Sequence, residues 1–104
     1  MERSKGVRGE NEAAGIFRAH GLPVDRTVQN SGFYLRGDLT GLDGYFLSVK
    51  RQEVLRLPQW TREAESEAGD AVPIVCYRSN GEPWRASLSL DALAGLIAAA
   101  RGNE

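Results

Sequence analysis

The 104-residue sequence has one cysteine and one histidine, which excludes an internal disulfide framework and a Cys/His zinc site. It has no apolar run near the roughly 20 residues that a membrane helix needs. Its polar opening, MERSKGVRGENE, does not read as a signal peptide. It has no excess of one charge: 13 Lys and Arg against 14 Asp and Glu leave −1, which argues against a histone-like, charge-driven nucleic-acid binder. No repeat or low-complexity tract appears. What is present is apolar material, 41% of the residues, enough to close a core and to exclude a disordered chain. The length fits one domain over residues 1–104, and the expected setting is soluble and intracellular, in the cytoplasm. A chain of this size buries only about 60–70% of its unfolded surface, so dimerisation is a natural supplement to its stability.

The charge is unevenly spread. Residues 1–36 carry a local +2 and residues 37–70 a local −3, while the last 34 residues balance. A basic end beside an acid-containing centre is compatible with DNA binding around a metal site.

The spacing predicts a helix over residues 8–20, ended by Gly21 with Pro23 beyond, whose apolar stripe is Ala13, Ala14, Ile16, Phe17 and His20. Glu10 falls within that stripe's arc, whereas Glu12 points away. An acid on a buried face is a conflict of pattern and chemistry of the kind that marks sites. Residues 22–29 and 33–40 read as extended, joined by Asn30-Ser31-Gly32. Gly41-Leu42-Asp43-Gly44 makes a second turn, and Tyr45–Lys50 a third strand, with Tyr45, Leu47 and Val49 on one face and Phe46, Ser48 and Lys50 on the other. Pro58 opens a second helix with Trp60, Ala64 and Ala68 along one side and Glu63, Glu65 and Glu67 mostly on the solvated side. Val72–Tyr77 reads as a central strand, paired through the Asn80-Gly81 turn with Trp84–Leu88. Ser89 caps a terminal helix whose Leu90, Leu93, Leu96 and Ile97 are expected to close the core. The order is α-β-β-β-α-β-β-α: an α/β fold with a small mixed sheet flanked by helices.

Three features converge on chemistry: Glu10 at the inward end of the first helix, Gly37-Asp38 ending a strand where glycine permits close backbone approach, and Lys50 on the strand leaving the turn. A hairpin of that length brings Asp38 and Lys50 to adjacent positions. Carboxylates beside an ammonium suit metal-assisted phosphodiester hydrolysis. Each residue also has a plainer use: Glu10 at a helix's positive end, Asp38 in a turn, Lys50 as a solvated strand-end charge. Arg26 and Arg36 read equally as solvated charges or phosphate contacts, whereas Lys5, Arg8 and Arg51 flank the site and are better placed for phosphate. Gln52, Gln59 and Glu53 are candidates for support around the site. His20 reads as a helix-end residue, Cys76 as a buried small hydrophobe, and Trp60 and Trp84 as core or dimer contacts.

These residues resemble the PD-(D/E)XK nucleases, and within them the archaeal-type Holliday-junction resolvases. Lys5-Gly6-Val7-Arg8-Gly9-Glu10 is similar to the KGxxxE opening of those resolvases, Gly37-Asp38-Leu39 to the segment of the first motif acid, and Ser48-Val49-Lys50 to (D/E)-x-K. His20-Gly21, Arg26, Trp60 and Trp84-Arg85 follow in the family's order, so the likeness spans most of the chain. It implies a restriction-endonuclease-like sheet and Mg²⁺-dependent cleavage of DNA, with Mn²⁺ as a substitute, on branched junctions met in recombination. It also implies a homodimer; compact nucleases of this kind are frequent in phages and mobile elements. In those terms Asp38 is the principal metal ligand, Glu10 a second acid, the Val49 carbonyl a further ligand, and Lys50 the residue at the nucleophile or transition state.

The departure is Ser48, where the family has Glu or Asp. A hydroxyl is a poorer Mg²⁺ ligand. Three outcomes follow: cleavage with Asp38, Glu10 and the Val49 carbonyl; recruitment of another acid, with Glu53 and Asp43 nearest in sequence; or a nuclease fold that binds DNA or another partner without cutting. A small interaction protein with surface acids is a separate possibility, marked by no Mg²⁺-dependent thermal shift and no salt-sensitive DNA affinity.

Overall fold

The computed structural model describes residues 2–27 and 37–102, with the side chains of residues 2–5 left out. The order is α1 (Glu2–Ala19), β1 (Asp25–Arg26), β2 (Leu39–Thr40), β3 (Tyr45–Arg51), α2 (Leu57–Ala68), β4 (Val72–Arg78), β5 (Arg85–Ser87) and α3 (Leu90–Ala100). The five strands form one mixed sheet in chain order. Its β1–β2, β2–β3 and β4–β5 pairs are antiparallel, and β3–β4, joined through α2, is parallel. The expected α/β order stands. Arg36, the Asn30-Ser31-Gly32 turn and the parts of the two expected strands within residues 28–36 lie outside the described residues.

Each helix forms where its sequence allows. α1 begins six residues earlier than expected and stops at the glycine: Leu22 N–H bonds the Phe17 carbonyl (3.1 Å) and Gly21 N–H the Arg18 carbonyl (2.9 Å), a Schellman pair. α2 carries Pro58 in its first turn, where no amide partner is lost. α3 is capped by Ser89, whose hydroxyl accepts from Ala92 N–H at 3.0 Å.

The alternation along β3 divides the core in two. Leu47, with Tyr45 and Val49 beside it, packs with Ala13, Ala14, Val24, Leu39 and Cys76 beneath α1. Phe46 faces the other way, onto Trp60, Ala64, Ala68 and Val75 beneath α2. β4 is apolar on both sides because both are covered: Val75 serves the α2 layer and Cys76 the α1 layer.

Three expectations fail against this packing. Ile16 is 46% exposed and His20 exposed, so the buried stripe of α1 is Ala13 and Ala14, with Phe17 partly buried beside them. α3 buries none of its residues and does not close the core. Glu12, expected to point away, is instead the half-buried hub between α1 and the far sheet. Its Oε1 accepts from Arg78 Nη1 at 2.8 Å and Trp84 Nε1 at 3.1 Å, with Arg51 Nε 3.7 Å away. The burial separates this cluster from the surface pair Arg18–Asp25, whose side chains are 47% and 79% exposed. Glu12→Ala strands the Arg78 and Trp84 donors, leaves Arg51 without its nearest carboxylate, and is expected to cost roughly 2–3 kcal/mol in urea denaturation, whereas Asp25→Ala stays within about 0.5 kcal/mol.

Candidate functional site

Asp38 sits where β2 is forced out of regular pairing. Leu39 is the register partner of Leu47, yet Asp38 N–H also bonds the Leu47 carbonyl, at 2.8 Å. Two successive residues thus stand against one, as in a β-bulge, a device that re-aims a side chain. Gly37 makes the bend possible. Its φ is +81°, and a Cβ there would lie 2.8 Å from the Leu47 carbonyl oxygen. The Asp38 carbonyl accepts from Thr27 N–H at 2.9 Å, and its carboxylate Oδ2 from Val49 N–H at 2.8 Å. Because N–H and C=O of one strand residue leave the same edge, the Val49 carbonyl also points toward Asp38.

Two adjoining recesses open from this edge, and Asp38 and Lys50 line both. One, of about 540 Å³, is bounded by Glu10, Val49, Gln52 and Glu53. The other, of about 230 Å³ on the α2 side, is bounded by Ser48, Trp60, Glu63 and Glu67. The strand alternation explains the split: Ser48 and Lys50 leave the α2 face, whereas Glu10 comes from α1 on the opposite face. Glu10, Asp38 and Lys50 therefore share a groove. The Lys50 ammonium lies 5.8 Å from the centroid of the Trp60 ring, a cation–π placement that holds it on the α2 side.

Other candidates are placed differently. Glu10 Oε1 accepts from Arg26 Nε at 3.2 Å, so Arg26 neutralises an acid of the groove and is no longer a freestanding phosphate contact. Arg51, expected to meet phosphate, is tucked under α1: its side chain is 16% exposed, and its Cβ lies 3.2 Å from the Cβ position at Gly9. The Arg51 Nε is buried without a hydrogen-bond partner. Arg51 nonetheless lines the groove with Glu10, Asp38 and Lys50, with most of its side chain packed against α1. Arg8 is exposed on α1, outside the groove lining. The Lys5 side chain lies outside the described residues. Of the two substitute acids, Asp43 lines a different cavity with Ala68 and Asp70 and is ruled out by position. Glu53 lines the groove, with Oε2 accepting from Asn80 N–H at 3.0 Å.

Sequence reasoning missed Glu63 and Glu67. Both are exposed, yet they face Ser48, Asp38 and Lys50 across the α2-side recess. The signal was there: they fall three residues after Trp60 and Ala64, beside the buried stripe. Gln59 lies one turn before, with Nε2 donating to Glu63 Oε2 at 3.0 Å.

The donors Asp38, Glu10 and the Val49 carbonyl of the larger groove are all hard oxygens, while the Ser48 hydroxyl lines the α2-side recess. Mg²⁺ is commonly held by one or two carboxylates with water and substrate phosphate completing its shell, so the set fits that ion. Among the described residues no three Asp, Glu, His or Cys side chains converge into a metal cluster of their own. Comparison of the chain with protein-family models, curated proteins and solved structures gave no match.

Cys76 pairs in register with Val49 behind the site. Burial pushes its thiol up to about 12, and the Asp38 carboxylate adds to the rise. A raised pKa means the folded state holds the proton more tightly. This contribution is therefore full below the pH at which an unfolded thiol ionises, about 9, and is lost as pH climbs toward about 12. At pH 8 a thiol reagent should label Cys76 only as fast as the chain opens. Gly37→Ala is expected to cost about 1–3 kcal/mol and to free the Val49 amide, read as faster hydrogen exchange at that residue while the β3–β4 amides stay protected.

Proposed function

We propose that the chain is a metal-dependent DNA endonuclease of the PD-(D/E)XK type, acting by phosphodiester hydrolysis, with branched junctions as its substrate class. The observation that carries the reading is Asp38, pinned at a strand edge and opening on one groove with Glu10 and Lys50. The ordered resemblance of the motifs supports it, and the junction preference, the homodimer and the restriction-endonuclease-like arrangement rest on that resemblance, while the intracellular setting rests on composition.

In this reading Asp38, Glu10 and the Val49 carbonyl hold Mg²⁺ or Mn²⁺. A divalent cation there supplies Lewis-acid activation of water and offsets charge on the phosphate. The chain's own part is positional. The Val49 N–H fixes the Asp38 carboxylate so that it does not reorganise on binding. Lys50 leaves the Trp60 face and brings its ammonium to the phosphate oxygens, where negative charge grows. Arg26 holds Glu10 in place and tempers repulsion between the two acids. Ser48 offers a hydroxyl that orients a water without adding charge. Arg8, exposed on α1, and Lys5 are the remaining candidates for backbone phosphates.

A second reading keeps the fold and DNA binding without cleavage, and Ser48 together with the lack of a three-acid cluster among the described residues favours it. One experiment separates the two: labelled four-way junction and linear duplex incubated with Mg²⁺ or Mn²⁺. The nuclease reading expects cleavage by the unaltered chain, a loss of at least about a hundredfold in Asp38→Ala, and loss of the Mg²⁺-dependent rise in melting temperature in the same variant. A strong gain in Ser48→Glu marks the natural chain as a weakened nuclease. Equal cutting by Asp38→Ala rejects the assigned site, and salt-sensitive junction binding without nicking supports the silent module.

A further inference from the structure

The connection from β3 to α2, residues 52–56, is exposed at every position. Both of its ends are fixed. Gln52 N–H donates to the Arg78 carbonyl at 3.1 Å, and Glu53 Oε2 accepts from Asn80 N–H at 3.0 Å, which ties the near end to the β4–β5 turn. At the far end Leu57 packs against the core that holds Phe46 and Trp60. Between these anchors stand Val54 and Leu55, 63% and 42% exposed. Among the described residues they are the only two exposed large apolar side chains adjacent in sequence. The core takes Leu57 and leaves this pair outside, on a tip whose base is held in place.

The position of the tip restricts what it meets. Gln52 and Glu53 line the groove with Asp38 and Lys50, so the apolar pair begins one residue beyond the groove wall. Five residues separate Lys50 from Leu55, at most about 18 Å of chain, which is about five nucleotides at 3.4 Å per step. A strand whose phosphodiester sits at Asp38 and Lys50 therefore passes within reach of the tip. Cations flank the pair on both sides: Lys50 and Arg51 in the groove lining, and Arg56, exposed, just after it. The acid of this stretch, Glu53, is engaged by the Asn80 amide. Basic side chains that hold a phosphate backbone, with an aliphatic group between them, are the chemistry of a wedge between stacked bases. Two residues offer too little apolar surface to hold a membrane.

We infer that Val54 and Leu55 form such a wedge, entering the base stack within about five steps of the phosphodiester held in the groove. Unstacking is cheapest where bases are already poorly stacked or unpaired, so the wedge turns a branch point into added affinity over plain duplex. The inference rests on the nuclease reading for the presence of DNA in the groove and adds the residues that select its structure.

The test uses a four-way junction with 2-aminopurine at successive positions around the branch point, and a linear duplex labelled in the same way. Both are bound without divalent metal, so that nothing is cut. Anisotropy reports binding, and 2-aminopurine emission reports unstacking. The unaltered chain is expected to raise the emission at one or two junction positions at saturation. Val54→Ser/Leu55→Ser should abolish that rise and weaken junction binding about tenfold, with duplex affinity and melting temperature unchanged. Leu55→Met, which keeps the apolar bulk, should retain the rise. Saturated binding without a rise, or a rise that the double serine variant keeps, overturns the wedge even where Asp38-dependent cleavage stands. A chain that binds neither DNA overturns the wedge together with the reading beneath it. Association between copies that the double serine variant abolishes, with emission unmoved, assigns the tip to protein contact and also overturns the wedge.

Discussion

Asp38 is held at three points, and the geometry around the candidate site follows from that. Its N–H is given to Leu47, its carbonyl receives Thr27, and its carboxylate receives Val49. The last bond is the consequential one. Where a regular antiparallel strand would answer the Val49 amide with a backbone carbonyl, a side-chain carboxylate answers instead. A charge-assisted bond from an amide to a carboxylate is stronger than a neutral one, so the acid is both anchor and candidate ligand. The same residue that leads into β2 faces the recess.

Much of this was legible in the sequence. The alternation Tyr45 to Lys50 assigns the two faces of β3 as the structure has them, and Gly37 marks the close approach it makes. What was not legible shares one cause. Periodicity states which residues of an element are alike, not what lies opposite. Glu12 falls on the polar side of α1 by that measure, yet its side chain accepts from an arginine 66 positions away and a tryptophan nearer the chain's end, with a second arginine in ion-pair range. Arg51 reads as a cation flanking a site because nothing local reveals that Gly9 brings α1 down upon it. α3 shows the same limit from the other direction: an apolar helix reads as core, and only the folded arrangement reveals that none of its residues is buried.

The position of Ser48 gains meaning from its surroundings. It stands between Asp38 and Lys50 on the α2 face, with Glu63 and Glu67 across the recess. A carboxylate at position 48 would add a further negative charge opposite those two, where like charges in a confined space raise one another's pKa. The hydroxyl and the acids of α2 are thus compatible neighbours, which an acid on β3 beside Asp38 and two from α2 would be less readily.

The two tryptophans fall on opposite sides of the sheet. Trp60 is enclosed beneath α2, whereas Trp84 donates its indole N–H to Glu12 on the α1 side. Each layer therefore carries its own fluorophore, one shielded by apolar contacts and one bonded to a carboxylate. Emission from single-tryptophan forms would follow the opening of each layer separately and reveal whether the parallel β3–β4 pair between them yields as one unit.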